Sequence, residues 1–121
     1  MTYNEKMYLA CSCLKELHRC WEFALQKYGV DLRGTKVTWS QRMTSCAGTA
    51  FYERGEIKLS LPILFSNPNF VNITPAHEAA HIIAFRVFKD KGHGRGWRRI
   101  ARELGITDKR CHSYQITKRK V

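Results

Sequence analysis

An α+β fold is what this sequence predicts: a small three-stranded sheet packed against a long N-terminal helix and against a second, largely apolar helix near the middle of the chain. Three observations point there. Apolar residues recur at three- and four-residue steps from Met7 to Tyr28 and again from Ala76 to Phe88. Between them, three short runs at residues 35–40, 49–52 and 56–60 have the β-branched and aromatic content of strands. The length of 121 residues with 44% apolar content supports one domain with a core able to fold unaided, and excludes a disordered chain.

In the first helix, Met7, Ala10, Cys11, Leu14, Leu17, Trp21, Ala24, Leu25 and Tyr28 form the expected inward stripe, and Gly29 ends it. T-K-V-T-W-S follows as a strand. The runs at 49–52 and 56–60 flank E-R-G-E, a hairpin signal. P-I-L-F-S-N-P-N-F, with two prolines and two asparagines, predicts a helical turn and then a loop. Thr74 and Pro75 open the next helix, threonine as a side-chain cap and proline in the first turn, where its missing donor has no intrahelical partner. That helix is apolar on most sides as far as about Lys89, so it should be buried. K-G-H-G-R-G-W breaks the period, Trp97, Ile100, Ala101 and Leu104 resume it, and Gly105 stops it. One more strand is expected around Tyr114 to Thr117. Residues 1–121 read as a single domain with a basic C-terminal tail from about residue 106.

Lys and Arg number 21 against 10 Asp and Glu, a formal charge of +11, and the excess is uneven. From Arg86 to Lys120 there are 12 basic residues against Asp90, Glu103 and Asp108. A field of that sign attracts polyanions, nucleic acid first among them. Cysteine occurs five times, an odd number, without a C-x-x-C pair and without an apolar leader or membrane-length run, which predicts a reducing, cytoplasmic setting, no membrane partner and no zinc ribbon. Cys11, Cys13, His18 and Cys20 do not form a second metal site, since on one helix Cys11 and Cys13 point about 200° apart.

The apolar middle helix carries H-E-A-A-H, residues 77–81. Residues four apart on a helix face the same way, so His77 and His81 can grip one ion, and Glu78, about 100° around, can reach a water beside it. A catalytic zinc takes three protein ligands and a structural one takes four. The class with a further histidine six residues after the second is excluded, because Val87 stands there. Candidates for the third ligand are His93, His112 and His18, then Glu103 and Asp90. Chain reach favours His93: a helix ending near Phe88 has risen about 10 Å past His81, and five residues can return about 16 Å. The glycines beside His93 are expected to supply unusual backbone angles for that reversal.

M-T-S-C-A-G-T-A-F-Y-E-R-G-E-I-K-L-S, then H-E-A-A-H, then G-H-G-R-G-W, in this order, resembles the SprT-like metalloprotease domain, the catalytic domain of the Spartan proteases. The resemblance covers roughly residues 34–105 and is similar to the compact versions found in phages and bacteria. It implies a zincin-like minimal metalloprotease domain, with zinc held by His77, His81 and His93 and with Glu78 as catalytic base. It also implies that Ala47, Gly48, Ile57, Leu59 and Ser60 belong to the sheet beside the active-site helix. Spartan-type members cleave proteins on DNA, including crosslinked ones, and several are switched on by DNA. They carry a separate zinc-binding DNA module, which is not found in this sequence.

The expected function is therefore zinc-dependent hydrolysis of peptide bonds in DNA-associated or DNA-crosslinked proteins, by a monomer. The alternative is a non-catalytic nucleic-acid-binding or adaptor protein with a structural zinc. Tyr52, His112 and Tyr114 are candidate oxyanion donors, and 57–60 is the expected edge for an added substrate strand. DNA, single strands included, would meet Arg95, Arg98, Arg99, Arg102, Lys109, Arg110, Lys118, Arg119 and Lys120 through phosphates, with Trp39, Trp97 or Tyr114 as stacking surfaces if exposed.

Overall fold

The computed structural model describes residues 1–106. The final expected strand, and Lys109, Arg110, Cys111, His112, Tyr114, Lys118, Arg119 and Lys120, lie outside the described residues. Within them four helices and three strands run in the order α1 (Tyr3–Tyr28), β1 (Lys36–Ser40), β2 (Gly48–Phe51), β3 (Glu56–Ser60), α2 (Leu61–Ser66), α3 (Thr74–Phe88) and α4 (Arg95–Glu103), with a 3-10 turn at Pro68–Val71 before α3.

The local chemistry of α1 sets both its ends. Thr2 accepts from the Glu5 N–H and the Glu5 side chain accepts from the Thr2 N–H, a capping box, and Gly29 closes the helix in the left-handed region at φ 67°. The buried line differs from the expected one. Leu9, Cys13, Leu17, Cys20, Trp21 and Ala24 face inward, while Met7, Cys11, Leu14 and Leu25 are exposed. The N-terminal half of α1 carries two apolar tracks at helical spacing, and the core takes the one through Leu9 and Cys13. Burial pushes the Cys13 and Cys20 thiols up to about 12, so these cysteines are inert core residues.

The sheet order is β1-β3-β2, with β1 parallel to β3 and β2 antiparallel to it. The predicted hairpin is present, turning at Gly55 with φ 65°. Placing 57–60 at an edge was wrong, because β3 is the central strand. Its Ile57 and Leu59 are fully buried, and a strand buried on one face and paired on both sides offers no free ladder. Among the described residues the open edges belong to β1 and β2.

Helix α3 is the centre of the molecule, touching α1, α4, β2 and β3. Every residue from Thr74 to Ala84 is buried. Its start is not the expected threonine cap. The 3-10 turn leads straight in, the Ile73 carbonyl accepts from the His77 N–H, and the buried Thr74 hydroxyl has no hydrogen-bond partner among the described residues. Its end is closed by Lys89 in the left-handed region, φ 58°. Tyr28 and Lys27 at the end of α1 both reach Glu103, fastening α4 to the same core. No helix among the described residues is long and apolar enough to cross a membrane.

Candidate metal centre

His77 and His81 project from one side of α3, and the loop after it brings His93 back to them. The His93 Nε2 lies 3.1 Å from His81 Nε2 and 3.2 Å from His77 Nε2. One donor atom from each ring falls within 4.8 Å of the others. Two imidazole nitrogens can share one proton, but an Nε2 that faces two others cannot satisfy both. A cation between them accepts all three lone pairs. Tetrahedral bonds of about 2.05 Å would put ligand nitrogens about 3.3 Å apart, close to the spacing seen, so the residues present fit a metal ion.

Protonation agrees with that use. Burial, aided by the neighbouring His93, brings His81 down to about 4, so it is neutral at physiological pH as a ligand must be. A hydrogen bond to the Gly92 backbone steadies the same ring. The Trp97 indole, fully buried, packs under all three rings at centroid distances of 4.8 Å to His77, 5.5 Å to His81 and 4.6 Å to His93. Its Nε1–H donates to the His77 carbonyl at 3.3 Å. Periodicity identified Trp97 only as core. Its place four residues after His93 was the available signal for more.

Glu78 is 7% exposed, like His77, and His81 is 9% exposed. Burial pushes its carboxyl up to about 8, partly opposed by a hydrogen bond from the Ala50 backbone in β2. Strand β2 therefore runs directly beside the glutamate. A Cβ at Gly48 would stand 3.0 Å from Glu78 Cγ and 3.1 Å from both Leu59 Cδ2 and Thr74 Cγ2. Leu59 and Thr74 are themselves buried and have no space to retreat. Gly48→Ala is thus expected to destabilise the protein by about 1–3 kcal/mol through overpacking, measured by urea unfolding, and to displace Glu78.

The other candidates do not join the cluster. His18 is on α1, paired with Glu22 at 3.7 Å. Glu103 serves Lys27, Tyr28 and Arg99. Asp90 accepts from the Gly92 and Trp97 N–H groups at 3.0 and 3.1 Å. The Tyr52 ring packs on Phe85, centroids 5.1 Å apart. Arg95, Arg98, Arg99 and Arg102 all lie on the exposed side of α4, opposite Trp97, Ile100 and Ala101. Burial removes Trp97 from the stacking candidates, and Trp39 is half-buried. The expected unusual angles beside His93 are also absent: positive φ among the glycines occurs only at Gly29, Gly55 and Gly105 of the described residues. Gly94 and Gly96 are required by close approach instead, to Asp90 and Phe88.

Fold and site together define an α+β domain whose buried central helix and following loop present a three-histidine cluster able to hold a metal, with a buried glutamate beside it. The SprT-like family model matches residues 14–119, and the chain belongs to that family. It is 34% identical over 107 residues to the protein SprT of Serratia proteamaculans, covering 86% of this chain and 61% of that one. The protein SprT of Escherichia fergusonii is 32% identical over 106 residues, 83% of this chain and 64% of its own. The chain thus spans about three fifths of the length of these relatives. No solved structure matches it.

Proposed function

We propose that this chain is a zinc-dependent endopeptidase of zincin-like architecture that hydrolyses proteins associated with DNA, crosslinked ones included. The observation that carries the reading is the convergence of His77, His81 and His93 through Nε2 atoms, with the Glu78 carboxyl buried alongside. Zinc on those three nitrogens would lower the pKa of a water and polarise the scissile carbonyl. The zinc charge beside Glu78 would oppose the effect of burial and favour its carboxylate, which would then accept the proton of the attacking water and return it to the leaving amine. The Glu78 carboxyl is held by the Ala50 N–H of β2, which limits the orientations open to it. An extended substrate segment would pair with the edge of β2 that is open among the described residues, on the strand that touches Glu78, and main-chain pairing there tolerates varied sequences. Three histidine ligands among the described residues favour hydrolysis over a four-ligand structural ion.

For DNA the support is the row of arginines on α4 and the charge of +11. No base-reading motif accompanies them, so phosphate contacts should dominate. The test is cleavage of a protein bound to single-stranded DNA, with zinc or with chelator, across a salt series. The parent is expected to cut only with zinc. Combined Arg98→Ala, Arg99→Ala and Arg102→Ala should weaken DNA binding most at low salt and reduce the slope of log K against log salt by about 2. Zinc and DNA binding without any cleavage would favour an adaptor, and an unchanged salt slope would remove α4 from the DNA face.

A further inference from the structure

We propose that Asp90 is the positioning residue of the third metal ligand, its carboxylate holding His93 and Trp97 where the histidine cluster closes. This rests on the reading of His77, His81 and His93 as a metal site. Two of the three ligands ride on α3, a buried helix that needs no further support. His93 does not. It sits in a loop with glycine on both sides and a third two residues on, a stretch that loses the most backbone entropy when it is ordered. Some interaction has to select one conformation from the many available.

Asp90 is placed to do this. Its Oδ1 accepts from the Gly92 N–H at 3.0 Å, and its Oδ2 from the Trp97 N–H at 3.1 Å. The N–H groups of Gly94 and Gly96 also bond to it. These donors bracket His93, one before it and three after. Those of Gly96 and Trp97 belong to the first turn of α4, whose cap residue, Gly94, has no side chain to serve them. One carboxylate therefore closes the loop, caps α4 with a charge matched to its dipole, and fixes the indole beneath all three imidazoles. The glycines are what let it approach. A Cβ at Gly94 would stand 2.8 Å from Asp90 Oδ2, and one at Gly96 would stand 3.1 Å from Asp90 Cβ and 2.9 Å from Phe88 Cδ2.

The experiment measures zinc affinity by competition with a chromogenic chelator, and the stability of the zinc-free chain by urea unfolding. It compares the parent, Asp90→Ala, Asp90→Asn, Gly94→Ala and the Asp90→Ala, Gly94→Ala double variant. Asp90→Ala is expected to weaken zinc binding by about 10–100-fold, as loss of ligand support does. Asp90→Asn should fall between, since its amide oxygen still accepts. Gly94→Ala should weaken binding in the parent but add little to Asp90→Ala, because the carboxylate its Cβ would strike is gone. A plain helix cap would lower zinc-free stability in Asp90→Ala and leave zinc affinity as it was, and that result overturns the assignment. Equal losses from Gly94→Ala in both backgrounds overturn it as well. If Asp90→Ala does not fold, Asp90→Asn and Gly94→Ala carry the comparison. A parent that binds no zinc overturns the metal reading itself and this inference with it, whereas a zinc-binding parent matched by Asp90→Ala overturns this inference alone.

Discussion

Glu78→Gln is expected to slow peptide hydrolysis by about 10²–10⁴-fold while keeping about one zinc per chain. Glutamine has the shape of the native side chain and can still meet the Ala50 N–H through its amide oxygen, but it cannot take a proton from water. None of the three converging nitrogens belongs to residue 78, so zinc content should not follow activity. Proteolysis and metal analysis on the same preparations decide the matter. A variant that cuts like the parent removes Glu78 as base, and one that loses zinc makes it part of the metal's support instead.

The same substitution has a pH-dependent effect on the zinc-free chain. Burial raises the folded carboxyl from 4.5 to about 8. Between those values the unfolded chain has released this proton and the folded chain retains it. Stability therefore falls as pH rises from about 4.5, and levels off above about 8, where both states are ionised. The full difference is on the order of 5 kcal/mol. Glutamine has no proton to lose, so zinc-free Glu78→Gln should gain on the parent steadily across that window. His81, lowered by burial, acts alike in both chains and cancels in the comparison. Parallel stability curves for the two proteins would mean that Glu78 is ionised throughout.

Much of this architecture was legible in the sequence, for reasons that also mark where legibility stopped. Gly29, the E-R-G-E hairpin and the unbroken apolar coverage of α3 are local signals, and each element formed within a residue or two of its expected place. Choosing between two apolar tracks on α1 is a tertiary matter. Cys11 and Cys13 differ little in chemistry, and only the position of the neighbouring elements makes one exposed and the other core. Strand order is tertiary as well: nearness in sequence to the active-site helix suggested an edge at β3, and the parallel partner that makes it central lies 20 residues earlier. At the site, the spacing of His77 and His81 follows from helix geometry alone. The convergence of His93 was accessible as a reach argument, but the reason for its glycines was misread. Gly94 leaves room for the Asp90 carboxylate and Gly96 for the Asp90 and Phe88 side chains, which no count of backbone angles reveals.

Adding zinc to the metal-free chain should raise its melting temperature substantially, and His81→Ala should abolish the rise. A ligand that binds only the folded state stabilises it by about 4 kcal/mol at a thousandfold excess over its dissociation constant, which for a domain of this size corresponds to a shift on the order of 15 °C. His81 is the appropriate ligand to remove because its Nε2 faces the His93 Nε2 at 3.1 Å, so alanine takes one nitrogen directly out of the cluster. Alanine leaves two histidines, and two imidazoles bind an ion far more weakly than three. The zinc-free melting point should change much less than the zinc-dependent increment, so the increment is the quantity to compare. Cys111→Ser with His112→Ala, outside the described residues, gives the contrast that matters for function. With three ligands sufficient, that pair leaves the zinc increment in place; with a fourth ligand drawn from it, the increment falls and the adaptor reading gains. An undiminished increment in His81→Ala would place the ion elsewhere on the chain.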